Sequence, residues 1–237
     1  MASVEGRRIL VIGRGSGIAR AVTSALRTAG AQVVAAGRDR PALAEAYDDP
    51  GVETAYVDLT DETAVGALAE ELGRVDHVVS TASARARGTV AELAHDVVRR
   101  SFDVKVLGPL LLAKHFAPRL PADGSFVFFS GSSARKAVAG MPAVGATNAA
   151  VDALVRGLAV ELAPLRVNAI SPGTVDTGAY DALGEQRKAE LFAARAATSP
   201  ARRIGRPEEI AEAVVFALGS SFLTGVFLAV DGGEPLV

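Results

Sequence analysis

The chain contains no cysteine, which excludes a disulfide, a thiolate nucleophile and a thiolate metal site, and is compatible with a reducing compartment. It also lacks a long apolar run. No segment reaches the roughly 20 uninterrupted apolar residues of a membrane-spanning helix, and the apolar stretch behind the arginines of "MASVEGRRILVIG" is too short for a signal-peptide core. Neither sign of charge dominates: 25 Lys+Arg against 27 Asp+Glu give a formal net charge of -2, with no field for gripping nucleic acid and no charged tail. The 3 histidines, His77, His95 and His115, have no spacing that suggests a metal site or a catalytic triad. These absences point to a cytoplasmic protein with no nucleic-acid partner, no membrane partner and no metal. At 237 residues and 49% apolar content, one α/β domain over 1–237 is the simplest organisation.

Short β-branched runs alternate with longer amphipathic stretches, the pattern of parallel strands joined by helical crossovers. Strands are predicted at 8–12, 32–36, 52–57, 76–80, 125–130, 166–170 and 226–230. Helices are predicted at 17–29, 40–48, 61–72, 96–119, 142–163, 185–196 and 207–218. Gly30, Gly51 and Gly73 stand where the early chain reversals are expected. The one irregular region, 171–206, lies between a strand and a helix and reads as a substrate lid.

In "ILVIGRGSGIAR" a strand runs into a Gly-rich turn and then a helix. Glycines there let backbone approach a pyrophosphate, and the helix N-terminus offers unpaired N–H groups to the anion. Gly13, Arg14, Gly15, Ser16, Gly17 and Ile18 are therefore candidate cofactor contacts, with Ala19 at a packing position. The second strand ends in "AAGRDR", with no acid before Asp39 to hold a ribose 2′-OH. Arg38, and Arg14 inside the turn, instead favour the extra phosphate of NADP(H) over NAD(H). Asp58 in "YVDLTD" either accepts from adenine or, like Thr60, caps the following helix.

With "GRGSGIA", "AGR", "VDLTD", "VNAISPGTVDT" and "FLTGVFLAVDGG" in order, the whole chain resembles the short-chain dehydrogenase/reductase superfamily. The resemblance implies a single-domain Rossmann-type doubly wound fold with a seven-stranded parallel sheet, a bound NAD(P)(H), and assembly through helix pairs into a homodimer or homotetramer. It places Asp58 and Leu59 at the adenine, and Thr81 and Ala82 along the adenosine ribose. It lays "SPGTVDT", with Pro172 and Gly173, over the nicotinamide, Val175 meeting the carboxamide and Thr177 the phosphates.

The catalytic positions depart from the family pattern. Ser83 replaces the glycine that follows the fourth strand, Lys105 stands for the asparagine of the long helix, and Val144 and Asn148 stand for the tyrosine and lysine. Among Ser130, Ser132 and Ser133, the family serine is matched to Ser132. An ammonium and an amide have thus exchanged helices, so Lys105 is expected to act as electrostatic stabiliser or water-mediated proton donor, Ser132 as carbonyl hydrogen-bond donor and Asn148 as orienter. The activity implied is hydride transfer from NADPH to a small-molecule carbonyl or quinone; the alternative is a non-catalytic NADP(H)-binding sensor or assembly subunit. Arg85, Arg87, Arg135 and Lys136 fall near strand ends, where they suit an anionic substrate or serve as solvated loop cations.

Overall fold

A computed structural model describes residues 3–178 and 180–237. Seven parallel strands form one sheet in the order β3-β2-β1-β4-β5-β6-β7: β1 (Arg8–Ile12), β2 (Gln32–Gly37), β3 (Val52–Tyr56), β4 (His77–Ser80), β5 (Ser125–Phe129), β6 (Arg166–Pro172) and β7 (Phe227–Val230). The helices are α1 (Gly17–Thr28), α2 (Arg40–Ala46), α3 (Glu62–Leu72), α4 (His95–Phe102), α5 (Gly108–Phe116), α6 (Pro142–Glu161), α7 (Glu185–Thr198) and α8 (Pro207–Gly219). The doubly wound, seven-stranded expectation is met.

Central strands covered on both faces read as continuous apolar runs, because every side chain meets a helix. In β5 the alternation divides the core: Phe126 and Phe128 point to the layer of α3, α5 and α6, while Val127 and Phe129 point to α1 and α8. In α1, Ala19, Val22, Thr23 and Leu26 are buried, a helical stripe laid on the sheet. The 20-residue α6 is long and apolar enough to cross a membrane by composition, yet Val144, Val151, Val155 and Leu158 pack it into the core.

Two local expectations change, at Gly51 and along the helix over 96–119. Gly30 and Gly73 take positive φ at +85° and +59°, but Gly51 does not; a side chain there would strike the Arg27 guanidinium, which is bound to Asp49 at 3.0 and 3.1 Å. The segment 171–206 is organised around a bridge from Val175 to Gly205, and α7 within it buries no residue. The single helix expected over 96–119 is interrupted by a π turn at Asp103–Leu107 and ends in a 3₁₀ turn at Ala117–Arg119. Pro109 explains the π turn: it has no N–H for the carbonyl of Lys105, and its ring crowds that carbonyl. The Gly108 N–H accordingly reaches back five residues to the Asp103 carbonyl.

Candidate active site

The sheet order reverses about β1, so a crevice opens beyond the C-terminal ends of β1 and β4, the place where doubly wound sheets bind ligands. Thr81 closes the crevice floor, its N–H and its hydroxyl both donating to the Ile12 carbonyl at 2.9 and 3.0 Å. Any side chain on Gly13 would collide with the Thr81 hydroxyl and the Ala19 methyl. Gly17 has φ +55°, and a Cβ there would lie 2.9 Å from the Thr177 carbonyl oxygen. The turn at Thr177 therefore lies against the glycine turn.

This end fits a dinucleotide. Ser16 forms no side-chain cap on α1, so the helix's first N–H groups keep their capacity for an anion. Arg14 and Arg38 are exposed. Burial raises the Asp58 pKa, but hydrogen bonds from Thr60 and the charges of Arg38 and Arg100 outweigh it and hold the carboxyl below its ordinary value. Asp58 accepts from the Thr60 N–H and hydroxyl at 2.9 and 2.8 Å. The helix-capping alternative for Asp58 or Thr60 is corrected: Asp61 caps α3, accepting from the Thr63 N–H at 2.9 Å. Leu59 is buried and Ala82 packs against the same core.

At the other end, β6 runs through Pro172, and Gly173 passes too close to the Asp231 backbone for any side chain. The next residue, Thr174, donates its N–H to Glu234 Oε1 at 2.7 Å. Val175 is buried in its bridge to Gly205.

Lys105 of the π turn and the Asn148 backbone of α6 are both bound to Ser130. Lys105, 7% exposed, donates from Nζ to the Ser130 carbonyl at 3.2 Å, and the Ser130 hydroxyl donates to the Asn148 carbonyl at 3.1 Å. Asn148 Nδ2 donates to Ser133 Oγ at 2.7 Å, while Asn148 Oδ1 is buried without a partner. Burial lowers the Lys105 pKa to about 7; the charge of Arg85 acts in the same sense and Asp152 against it. Val144 is buried aliphatic packing.

Ser132 is not brought to this unit. Its hydroxyl points to Glu234 Oε2 at 3.3 Å, and the backbone facing Asn148 is Gly131, where a Cβ would lie 2.8 Å from Nδ2. The serines that touch Asn148 are Ser130 and Ser133. Two partners were missed from sequence. Asp152 lies one helical turn beyond Asn148, a spacing that signals a shared face; its carboxyl is pushed up by burial, against the Ser130 hydroxyl and the charges of Arg135, Arg156 and Lys105. Glu234, beyond the closing "DGG", gave no sequence signal. Arg135 is 3.6 Å from Asp152 and 3.3 Å from Asp231, and Lys136 donates to the Glu234 carbonyl at 3.0 Å, so both cations serve structure.

Among the described residues no cluster of acids and histidines suits a metal. His77 is buried on Ser125 at 2.8 Å and, with burial lowering its pKa to about 4, stays neutral.

The family model described as enoyl-(acyl carrier protein) reductase matches residues 12–234. The chain is 37% identical over 246 aligned residues to a cis-4-hydroxycyclohexanecarboxylate dehydrogenase of Sinomonas cyclohexanicum, covering 98% of this chain and 97% of that protein. It is 30% identical to a cyclic-di-GMP-binding biofilm dispersal mediator protein of Escherichia coli (strain K12), with 98% of each covered. Among solved structures, a small-chain dehydrogenase in complex with NADPH superposes with a TM-score of 0.84 at 32% identity, over 98% of this chain and 100% of that one.

Proposed function

The chain belongs to the short-chain dehydrogenase/reductase superfamily of oxidoreductases, and on that premise we propose that it reduces a carbonyl or quinone with NADPH, Lys105 standing in for the family's phenolic acid. NADPH, when bound, supplies the hydride. The glycine turn and the α1 N-terminus hold its pyrophosphate, Arg14 and Arg38 favour the 2′-phosphate, Asp58, Leu59, Thr81 and Ala82 line the adenosine half, and Pro172, Gly173, Val175 and Thr177 the nicotinamide half. The relative solved with NADPH supports the choice of cofactor.

The Lys105 contact with Ser130 carries the reading: it holds the ammonium against a residue whose hydroxyl is bound to the Asn148 carbonyl of α6, which supports a proton donor there. A reduced carbonyl needs one proton at oxygen, and Nζ holds one whose pKa near 7 suits transfer at neutral pH. Asn148 orients the unit, and because its amide donates to Ser133 Oγ, the Ser133 hydroxyl proton is left for the substrate oxygen. Ser132 belongs to the Glu234 clamp on the lid, not to the proton path.

Buried, aliphatic Val144 and the ligand-binding name of the Escherichia coli relative favour the second reading, a non-catalytic NADP(H) sensor. Stopped-flow absorbance at the reduced-nicotinamide band, against quinones, diketones and simple ketones, separates the two. NADPH oxidation by at least one class is expected; tight NADPH binding without oxidation across the panel selects the sensor.

A further inference from the structure

Resting on that reading of the cleft, we infer that Arg85, with Arg87 beside it, recognises a carboxylate on the substrate, so that the molecule reduced is an oxo acid rather than a neutral ketone. Sequence alone left four cations near the strand ends as equals, and the structure divides them. Arg135 and Lys136 are bound to Asp152, Asp231 and the Glu234 carbonyl. Arg85 and Arg87, on the segment that leaves β4, make no hydrogen bond or ion pair to an acid among the described residues, and both are reached by solvent.

Their surroundings are cationic. The Arg87 guanidinium lies 5.4 Å from the ring centroid of lid residue Tyr180, and the Tyr180 ring meets Phe192 of α7 edge-on at 5.5 Å, so the arginine loop and the lid face each other. Arg85 feels the charge of Arg87 on one side, and on the other its own charge bears on Lys105. The acids on the adjoining segments are already engaged. Asp176 and Asp181 hold Lys188 at 2.9 and 2.6 Å, and Glu92 accepts from the Thr89 N–H and hydroxyl at 2.9 and 2.8 Å.

Like charges only partly offset, by Asp152 against Lys105, raise the free energy of the empty cleft, and an anion relieves that repulsion on entering. A guanidinium with its fork free matches the two oxygens of a carboxylate, and the Tyr180–Phe192 pair offers an apolar wall for the carbon frame.

The test is calorimetric titration of the NADPH-loaded protein with benzoate and with benzamide, which share a ring and differ in charge, in the wild type, Arg85→Gln and Arg85→Lys. A charge-assisted pair predicts that the wild type binds benzoate about 10-fold to 100-fold more tightly than benzamide, that Arg85→Gln abolishes the preference and that Arg85→Lys keeps part of it. Equal binding of the two by the wild type, or a benzoate preference that survives Arg85→Gln, overturns the assignment. Binding needs no turnover, so the two readings fail separately. Arg85-dependent benzoate binding with no NADPH oxidation by benzoylformate, an aryl oxo acid, or by the neutral panel sinks the reductase and upholds the anion site; oxidation without a benzoate preference does the opposite.

Discussion

At the scale of single residues, Lys105 is the unusual feature. A buried ammonium held by one carbonyl, facing Arg85 and only partly offset by Asp152, opposes folding, and a protein keeps such a group where function uses it. The folded pKa lies below that of an unfolded lysine, so between about pH 7 and pH 10 the unfolded chain binds the extra proton and stability rises with pH. Lys105→Met is therefore expected to stabilise the protein by about 1–4 kcal/mol at neutral pH, seen as a raised Tm whose margin over the wild type narrows toward pH 10. A Tm gain that is absent, or independent of pH, contradicts this balance of charges. Lys105 and Asn148 could be singled out in the sequence because each occupies a fixed motif position, and the structure ties both to Ser130. The choice among the serines was not legible because three of them crowd one turn, and only backbone direction decides that Ser130 and Ser133 meet Asn148 while Ser132 meets Glu234.

At the scale of elements, the π turn and the C-terminal clamp set the site. Lys105 lies within the π turn that Pro109 imposes. Pro109→Ala is expected to restore regular helix, rotate Lys105 off the Ser130 carbonyl and slow turnover by about 10-fold to 100-fold, the cost of misplacing a reacting group, with NADPH affinity unchanged. Turnover equal to the wild type would detach the π turn from function. Glu234 ties the Thr174 N–H and the Ser132 hydroxyl to the chain end. Glu234→Ala is expected to raise the KM for NADPH about 10-fold, the worth of a hydrogen bond to a charged acceptor, with partial rescue by Glu234→Gln and faster proteolysis within 171–206; an unchanged KM refutes the clamp. Strand and helix order was readable from periodicity. The π turn was not, because one extra residue in a helix barely disturbs the apolar pattern, and the clamp was not, because it joins residues 60 apart.

At the scale of the whole molecule, large apolar side chains stand exposed on several helices. They are Val97 and Phe102 of α4, Leu107 of the π turn, Leu110 of α5, Val160 of α6 and Phe216 of α8, with Phe222 and Phe227 at and before β7. Exposed apolar side chains of this size are the material of interfaces, and they are consistent with the assembly through helix pairs that the family resemblance implies. Light scattering is expected to give a dimer or tetramer of the 24.3 kDa chain, falling to a monomer in Leu107→Glu/Val160→Glu; a monomeric wild type contradicts the assembly. The doubly wound architecture was legible throughout, since apolar runs and glycine turns encode it locally, whereas the chemistry depends on which side chains meet across α6 and the π turn. The central claim, that a lysine supplies the proton the missing phenol would have given, is tested most directly by single-turnover NADPH oxidation against pH in wild type and Lys105→Met. The wild-type rate is expected to fall as pH rises through about 7, and the variant to be slower by about 10²–10⁴-fold, without that inflection and with unchanged NADPH affinity. Equal rates with the same pH profile would contradict the claim.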